Sequence, residues 1–398
     1  MKAVICGAGI AGLALAARLS RAHWQVTVIE PASTLHNEGY VVDLFGSGFE
    51  AARRMGLLPA LERVRYEFDA IRWVGTTGRT AARLPFLTVL GLFEGRLISL
   101  LRGDLQRAVL EQLSDTVQLH FDRFVTHVRT PVGAIEVHLN TGEVERADVL
   151  IGADGVHSRI RDLVFGDGAS WFRFLGFHTA AAVIDAPELN KDLHNDLHIV
   201  SVPGRQILMY PLRDEQVAVA FVRRAPLGAP PRSASEALVE AYGDLGWHVP
   251  AVLERAKALP SVVYEQVGQV VMAHWSRGRI ALLGDACQAV SLLPGQGASL
   301  ALAAAFVLGE ELCATDDVKA ALARYEHRVR PPLIQMRRAG RRAADWLVPS
   351  TGAGLMARNA ILRMASRAGL SRLLRPAVEA ARENVLPPTR SAGPSFSG

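Results

Sequence analysis

The stretch AVICGAGIAGLALAARLSRAHWQVTVIE, residues 3–30, decides the fold. Ala3 to Ile5 is a short apolar strand, Gly7 to Gly12 a glycine turn, Leu13 to Arg21 a helix and Val26 to Glu30 a second strand, together a βαβ opening. Within Gly7-Ala8-Gly9-Ile10-Ala11-Gly12, Gly7 permits the tight turn, Gly9 lets the backbone approach a pyrophosphate, and Gly12 lets helix and strand pack closely. Gly7, Gly9, Ala11 and Gly12 are therefore the residues expected around the phosphates, which the helix N-terminus faces with its N–H groups. Glu30 ends the second strand about 20 residues on, where a carboxylate accepts hydrogen bonds from the ribose hydroxyls of an adenosine. This order of elements specifies a dinucleotide site and leaves open whether NAD or FAD fills it.

The chain of 398 residues, 49% hydrophobic and 21% charged, is long enough for a substantial core in one large domain or two joined ones. Cys6, Cys287 and Cys313 show neither CxxC nor the His/Cys spacing of a metal site, so no disulfide framework and no metal is expected, and the compartment reads as reducing and cytoplasmic. The opening run superficially resembles a secretory signal, but its glycine spacing and the strand that follows assign it to the fold. The longest other apolar run, Ala298 to Leu308, is about half the length that spans a bilayer, so no transmembrane helix is expected. The net charge of +5 is uneven, because Arg328 to Arg375 holds eleven arginines opposed only by Asp345. Their expected place is the solvated outer face of helices, with their stems over apolar surface. Membrane contact is not expected, and nucleic acid is not expected either, since no aromatic pattern is interleaved with the arginines.

Further along, His198 to Val202, Ile207 to Leu212 and Val217 to Val222 alternate apolar residues and read as one antiparallel sheet interrupting the nucleotide fold. Arg279 to Leu283 then reads as a buried strand and Ala298 to Glu310 as an alanine-rich helix suited to close packing on a sheet. From Pro331 onward the pattern is helical, broken near Pro349 to Gly354, and Pro387 to Gly398 is a Pro/Ser/Gly tail.

Two later signatures choose the cofactor. Gly152-Ala153-Asp154-Gly155-Val156-His157-Ser158-Arg159-Ile160-Arg161 contains the pattern DGxxSxxR. Gly284-Asp285-Ala286 follows the apolar strand and is itself followed by Gly295-Gln296-Gly297-Ala298 at the start of a helix. With Arg102-Gly103-Asp104-Leu105, an R-x-x-L segment, and Asp43 in Gly39-Tyr40-Val41-Val42-Asp43-Leu44, these resemble the class A flavoprotein monooxygenases, the group of para-hydroxybenzoate hydroxylase and the tetracycline-inactivating hydroxylases. The resemblance spans most of the chain. It implies that FAD is the resident cofactor, with Asp285 on the ribityl chain, Gly295, Gly297 and Ala298 under the ring, and Arg102, Asp43 and Asp154 close to the flavin. It also implies that NAD(P)H reduces the flavin and that a C4a-hydroperoxide delivers one atom of O2 to an aromatic substrate. A helix N-terminus beside the ring would stabilise the anionic reduced flavin. The sequence departs from the family pattern at Gln288, Leu292 and Ser299, with Pro294 displaced toward Gly295. The residue readings alone leave Asp154 or Ser158 as a helix cap, Asp43 as a turn cap and Cys287 as a small buried residue.

The expected fold class is therefore α/β: a Rossmann-type FAD-binding domain with an inserted mixed β-sheet substrate domain and C-terminal helices. Residues 1–170 form the first part of the FAD-binding domain, with a small excursion near 75–98 into the substrate domain; 171–268 form that sheet, 269–335 the second FAD part, and 336–398 the C-terminal helices and tail. His198, Met209 and Phe221 are the expected substrate contacts, because each sits within an alternating strand. No side-chain nucleophile is required, so no catalytic residue is assigned. The flavin halogenases are disfavoured, because Trp24, Trp73, Trp171, Trp247, Trp275 and Trp346 are all isolated and the Trp-x-Trp-x-Ile-Pro motif is absent. A reductase on the same fold, and a non-catalytic flavoprotein that senses a ligand or touches membranes through its basic tail, stay open at this point.

Overall fold

In the computed structural model of the chain, which describes residues 1–35, 40–166, 171–227, 233–260, 262–290, 296–366, 374 and 385–386, the N-terminal apolar run becomes a central strand of a six-stranded sheet. Lys2–Cys6 pairs in parallel with Gln25–Ile29 on one side and with Val149–Gly152 on the other. Gln118–His120 and Ile280–Leu282 extend the two flanks in parallel, and Ser276–Arg277 closes one edge antiparallel. Parallel strands covered on both faces need continuous apolar runs. Ala3, Val4, Ile5, Val149, Leu150, Ile151, Ala281 and Leu282 are all fully buried.

The helix Ile10–Ser20 starts directly from the glycine turn. Gly7 has φ +106°, and a Cβ on it would lie 2.4 Å from the Ala153 carbonyl oxygen. A Cβ on Gly12 would lie 2.0 Å from the Gly7 carbonyl oxygen, so the helix can leave the strand at this angle only with glycine there. The helix Gln296–Cys313 is long and apolar enough to cross a membrane by length and composition, yet 78% of it is buried inside the fold. It packs against Ile10–Ser20 and against the helices Gly46–Arg54 and Val318–Leu347. Its small residues permit the close approach: a Cβ on Gly309 would lie 2.5 Å from Arg18 Cγ.

The second sheet has seven strands, in the order Val263–Val270, Phe172–Asp185, Gln216–Arg224, Arg205–Pro211, Leu197–Val202, Ala70–Val74 and Thr80–Pro85. All neighbours are antiparallel except Leu197–Val202 with Ala70–Val74. The early excursion into this sheet is thus made by residues 70–85, before most of the expected 75–98 window. One face packs Val200, Ile207, Met209 and Phe221 against the helices Ala234–Tyr242 and Val249–Lys257. The other gathers Trp73, Ile199, Leu208, Tyr210 and Val222 with Ala344, Val348 and Leu362 of the C-terminal helices.

The expected boundary at 335/336 falls inside one unbroken helix, Val318–Leu347, that runs through Pro331 and Pro332. An interior proline costs a helix roughly 3 kcal/mol; the full burial of Tyr325, Val329 and Leu333 on one face offsets it. The basic segment is likewise not all on an outer face, since Arg337 and Arg358 are buried. Burial of apolar stems alone does not explain them: their guanidinium groups are inside, bonded to backbone carbonyls. Gly39, Leu292, Pro294, Gly295 and the Pro387 to Gly398 tail lie outside the described residues.

The turn geometry carries a direct expectation. Gly12→Val places a side chain in the space held by the Gly7 carbonyl, and chemical denaturation should show a loss of roughly 2–3 kcal/mol. An unchanged denaturation midpoint would contradict the close approach described.

Candidate functional site

A cavity of about 370 Å³ lies between the carboxyl ends of the parallel strands and the inner face of the seven-stranded sheet. Gly9, Ile10 and Ala11 wall it at the start of the first helix, Ala153 and Gly155 after the strand Val149–Gly152, and Asp285, Gly297 and Ala298 at the second glycine turn. In open α/β sheets this edge is where ligands bind.

At the nucleotide end, the first intrahelical bond runs from the Leu13 N–H to the Gly9 carbonyl (3.0 Å), which leaves the preceding N–H groups to an anion. A Cβ on Gly9 would meet nothing within 4 Å, so the turn faces open space there. Glu30 holds the turn itself: its Oε2 accepts from the Ala8 N–H (2.7 Å) and its Oε1 from the Ala32 N–H (3.0 Å). Carboxylate oxygens carry further lone pairs, so this clamp still leaves acceptors for a ribose. Gln106 was not singled out by any sequence motif. Its buried amide donates to the Ala8 carbonyl (2.7 Å) and ties the helix Arg102–Leu110 to the same turn.

Asp154 does not face the cavity. Its Oδ1 accepts from Ser158 Oγ (2.5 Å) and its Oδ2 from the Ile160 N–H (3.0 Å), and Ser158 Oγ in turn accepts from the Arg161 N–H (3.0 Å). Asp154 and Ser158 together cap the helix Arg159–Phe165. Burial pushes the Asp154 carboxyl above its ordinary range, with the Ser158 hydrogen bond opposing. Arg161, buried, donates to the carbonyls of Ala286 (3.0 Å) and Val156 (2.9 Å). The DGxxSxxR segment is thus bolted to the Gly284-Asp285-Ala286 turn from behind.

Asp285 projects into the cavity and, among the described residues, has no hydrogen-bond partner. Desolvation raises its pKa while the charge of Arg102 pulls it down. Arg102 lines the cavity with its guanidinium 6.0 Å from the Tyr40 ring centre. Gln288 and Ser299, two of the departures from the family pattern, both support this region. The Gln288 amide oxygen accepts from the Gly284 N–H (3.2 Å) and its nitrogen donates to Tyr325 Oη, which donates to the Leu282 carbonyl (3.1 Å). Ser299 Oγ joins the core helix to the strand Val41–Phe45, bonding the Phe45 N–H and the Asp43 carbonyl, each at 3.2 Å. Cys287 is fully buried, and burial raises its thiol well above the ordinary range.

Asp43 stands beside the cavity rather than in its wall. It pairs with Ser99 across the strand Leu97–Leu101, and Ser99 Oγ donates to its Oδ1 (2.5 Å). Burial pushes its carboxyl up to about 6 despite that bond.

The sheet wall corrects the substrate residues by one position of register. Ile199, Leu208, Tyr210, Ala220 and Val222 face the cavity. His198, Met209 and Phe221 point to the opposite face: Met209 and Phe221 belong to the core under the two helices, and His198 packs against Trp247 with ring centres 5.5 Å apart. Burial lowers the His198 pKa to about 4, so its imidazole is neutral. The physical reason is that both faces of this sheet are covered, so apolar alternation marks no preferred side. Trp73, Gln206, Trp346 and Arg358 complete the wall, and no sequence motif marks them.

Comparison with known proteins gives a consistent result. Residues 1–338 match the family model described as an FAD binding domain. An FAD-dependent monooxygenase of Sarocladium schorii is 30% identical over 328 residues, 78% of this chain and 75% of the relative. The crystal structure of tetracycline destructase Tet(51) superposes with a TM-score of 0.80 at 25% identity, covering 97% of this chain and 99% of that one. Klebsiella pneumoniae HpxO complexed with FAD and uric acid shares the fold, with a TM-score of 0.79 at 20% identity over 96% of this chain and 97% of that one.

The Asp43 environment is testable by pH. Its folded-state pKa of about 6 lies above the ordinary 3.8, so the folded state binds the proton more tightly and Asp43 costs stability as pH rises through that window. Asp43→Asn should therefore gain on the native protein between pH 4 and pH 7, by up to roughly 2–3 kcal/mol at the upper end. Denaturation at several pH values checks this; a difference independent of pH would contradict it.

Proposed function

The chain belongs to the FAD-binding-domain family of class A flavin-dependent monooxygenases, and on that premise we propose how its own residues divide the work of an FAD-dependent oxidoreductase. The described residues fit FAD. The Gly9 position opens onto free space, the N–H groups of Ile10 and Ala11 precede the first helical bond, and Asp285 aims an unpartnered carboxylate into the same cavity. FAD, when bound, supplies the acceptor for a hydride from NAD(P)H and the activation of O2 by which one oxygen atom enters an aromatic small molecule.

The chain's part is to bind, orient and exclude water. The start of the helix Ile10–Ser20 takes the pyrophosphate, with Glu30 at the adenosine end and Arg102 as the nearby positive charge. Asp285 accepts hydrogen bonds from the ribityl hydroxyls. The N-terminus of the core helix, at Gly297 and Ala298, directs N–H groups and positive potential at the edge of the ring, where reduction builds negative charge. Trp73, Ile199, Leu208, Tyr210 and Val222 form the substrate wall, apolar enough to keep water from the reacting atoms and to lay a planar ring parallel to the cofactor. NAD(P)H is a cytoplasmic reductant, and we place the enzyme in that compartment.

The observation that carries this reading is the Asp285 carboxylate, which lines a cavity whose other wall is apolar sheet. Purified protein should show a flavin absorbance spectrum, and Asp285→Ala should weaken FAD binding roughly 10- to 100-fold, the worth of a charged hydrogen bond in a buried site. Turnover of an aromatic panel under 18O2 should stimulate NAD(P)H oxidation and place one labelled oxygen in the product. Unlabelled product would overturn the monooxygenase assignment, and full FAD retention in Asp285→Ala would remove the proposed role of Asp285.

A further inference from the structure

Among the described residues, the substrate side of the cavity holds one buried cation whose partners are all neutral. Arg358, on the helix Gly352–Ala365, is only 3% exposed and lines the cavity beside Trp346 and Leu347. Its Nη1 donates to the Leu347 carbonyl (2.8 Å), and its Nε and Nη2 both reach Asn359 Oδ1, at 3.4 and 3.2 Å. A guanidinium has five N–H groups, so two remain beyond these contacts. No carboxylate among the described residues lies within 4.0 Å of it. Of the acids of the cavity wall, Asp285 feels the charge of Arg102, and Glu265 has an interaction of its own. Burial alone lowers the Arg358 pKa, to about 10, so the group is charged at neutral pH.

A buried charge without a counterion is costly, by several kcal/mol after relaxation. Two neutral acceptors reduce that cost without cancelling the charge, and the cavity that Arg358 lines gives an anion a route to it. Trp73 and Trp346 offer flat apolar surface nearby, and Gln206, also buried, offers a neutral amide on the same wall. We infer that Arg358 is the receptor for an anionic oxygen of the substrate, which makes the substrate class planar aromatic compounds carrying an ionised carboxylate, phenolate or enolate. The C-terminal helix then contributes to specificity, because it carries the charge that selects the substrate. This rests on the reading of the cavity as the substrate chamber.

The test uses the FAD-loaded protein and calorimetric binding of matched pairs: aromatic acids against their methyl esters, and phenols or enolisable polycycles against their methyl ethers. The native protein should bind the anionic member of at least one series roughly 10- to 100-fold more tightly than its neutral twin, and the series with the larger gap identifies the oxygen. Arg358→Gln, which keeps a neutral donor toward the Leu347 carbonyl, should lose most of that gap, and Arg358→Lys should retain part of it. FAD content of both variants should stay near native, and Arg358→Gln, which removes the uncompensated charge, should melt no lower than the native protein. Equal binding of acid and ester by the native protein, a gap that survives in Arg358→Gln, no binding of any pair, or loss of FAD from the variants overturns the inference. The monooxygenase reading is judged separately: a gap in binding without NAD(P)H oxidation would keep the role of Arg358 and remove that reading.

Discussion

The molecule depends on one close approach of backbone to backbone at the end of the parallel sheet. Gly7 comes so near Ala153, and Gly12 so near the Gly7 carbonyl, that a single Cβ at either position would lie within 2.4 Å of an oxygen. At Gly284, φ +63°, a Cβ would be 2.9 Å from that of Ala11. Three loops from three adjacent parallel strands therefore meet at one point. The first presents a helix N-terminus, the second a capped turn and the third a carboxylate, and the cavity is the space they share.

Holding three loops together requires polar groups in a region that has little water to satisfy them. The chain meets this with side chains that bond to backbone of a neighbouring loop. Glu30 and Gln106 fix the glycine turn from either side, Arg161 reaches across to Ala286, and Gln288 with Tyr325 closes the turn of Gly284. Arg337 donates to the carbonyls of Val270 and Cys287, joining the long C-terminal helix to the second sheet and to the helix that begins at Asp285. Asp285 is left out of this network among the described residues, which is what an acceptor reserved for a ligand requires.

The same contrast explains what could be read from the sequence. The βαβ unit and the strand before Asp285 were legible because their glycines and apolar runs answer to local backbone geometry. Asp154 carried a family motif, but a motif does not say which way a carboxylate points. Only the positions of Ser158 and Ile160 show that its oxygens also cap a helix. The strands around His198, Met209 and Phe221 were legible as strands, while the face they present was not, because helices cover one side and the cavity the other and both demand apolar residues. Arg358 was hidden for a different reason. An arginine among ten others in a basic segment looks like a solvated charge until tertiary packing buries it.

The account stands or falls on where the cofactor sits relative to these loops. A crystal structure of the FAD-loaded chain tests it most directly. It should show the pyrophosphate at the N–H groups of Ile10 and Ala11, Asp285 within hydrogen-bonding distance of the ribityl chain, and the ring facing Leu208 and Tyr210. A flavin bound outside this cavity, or one bound inside it with Asp285 turned away, would contradict the account.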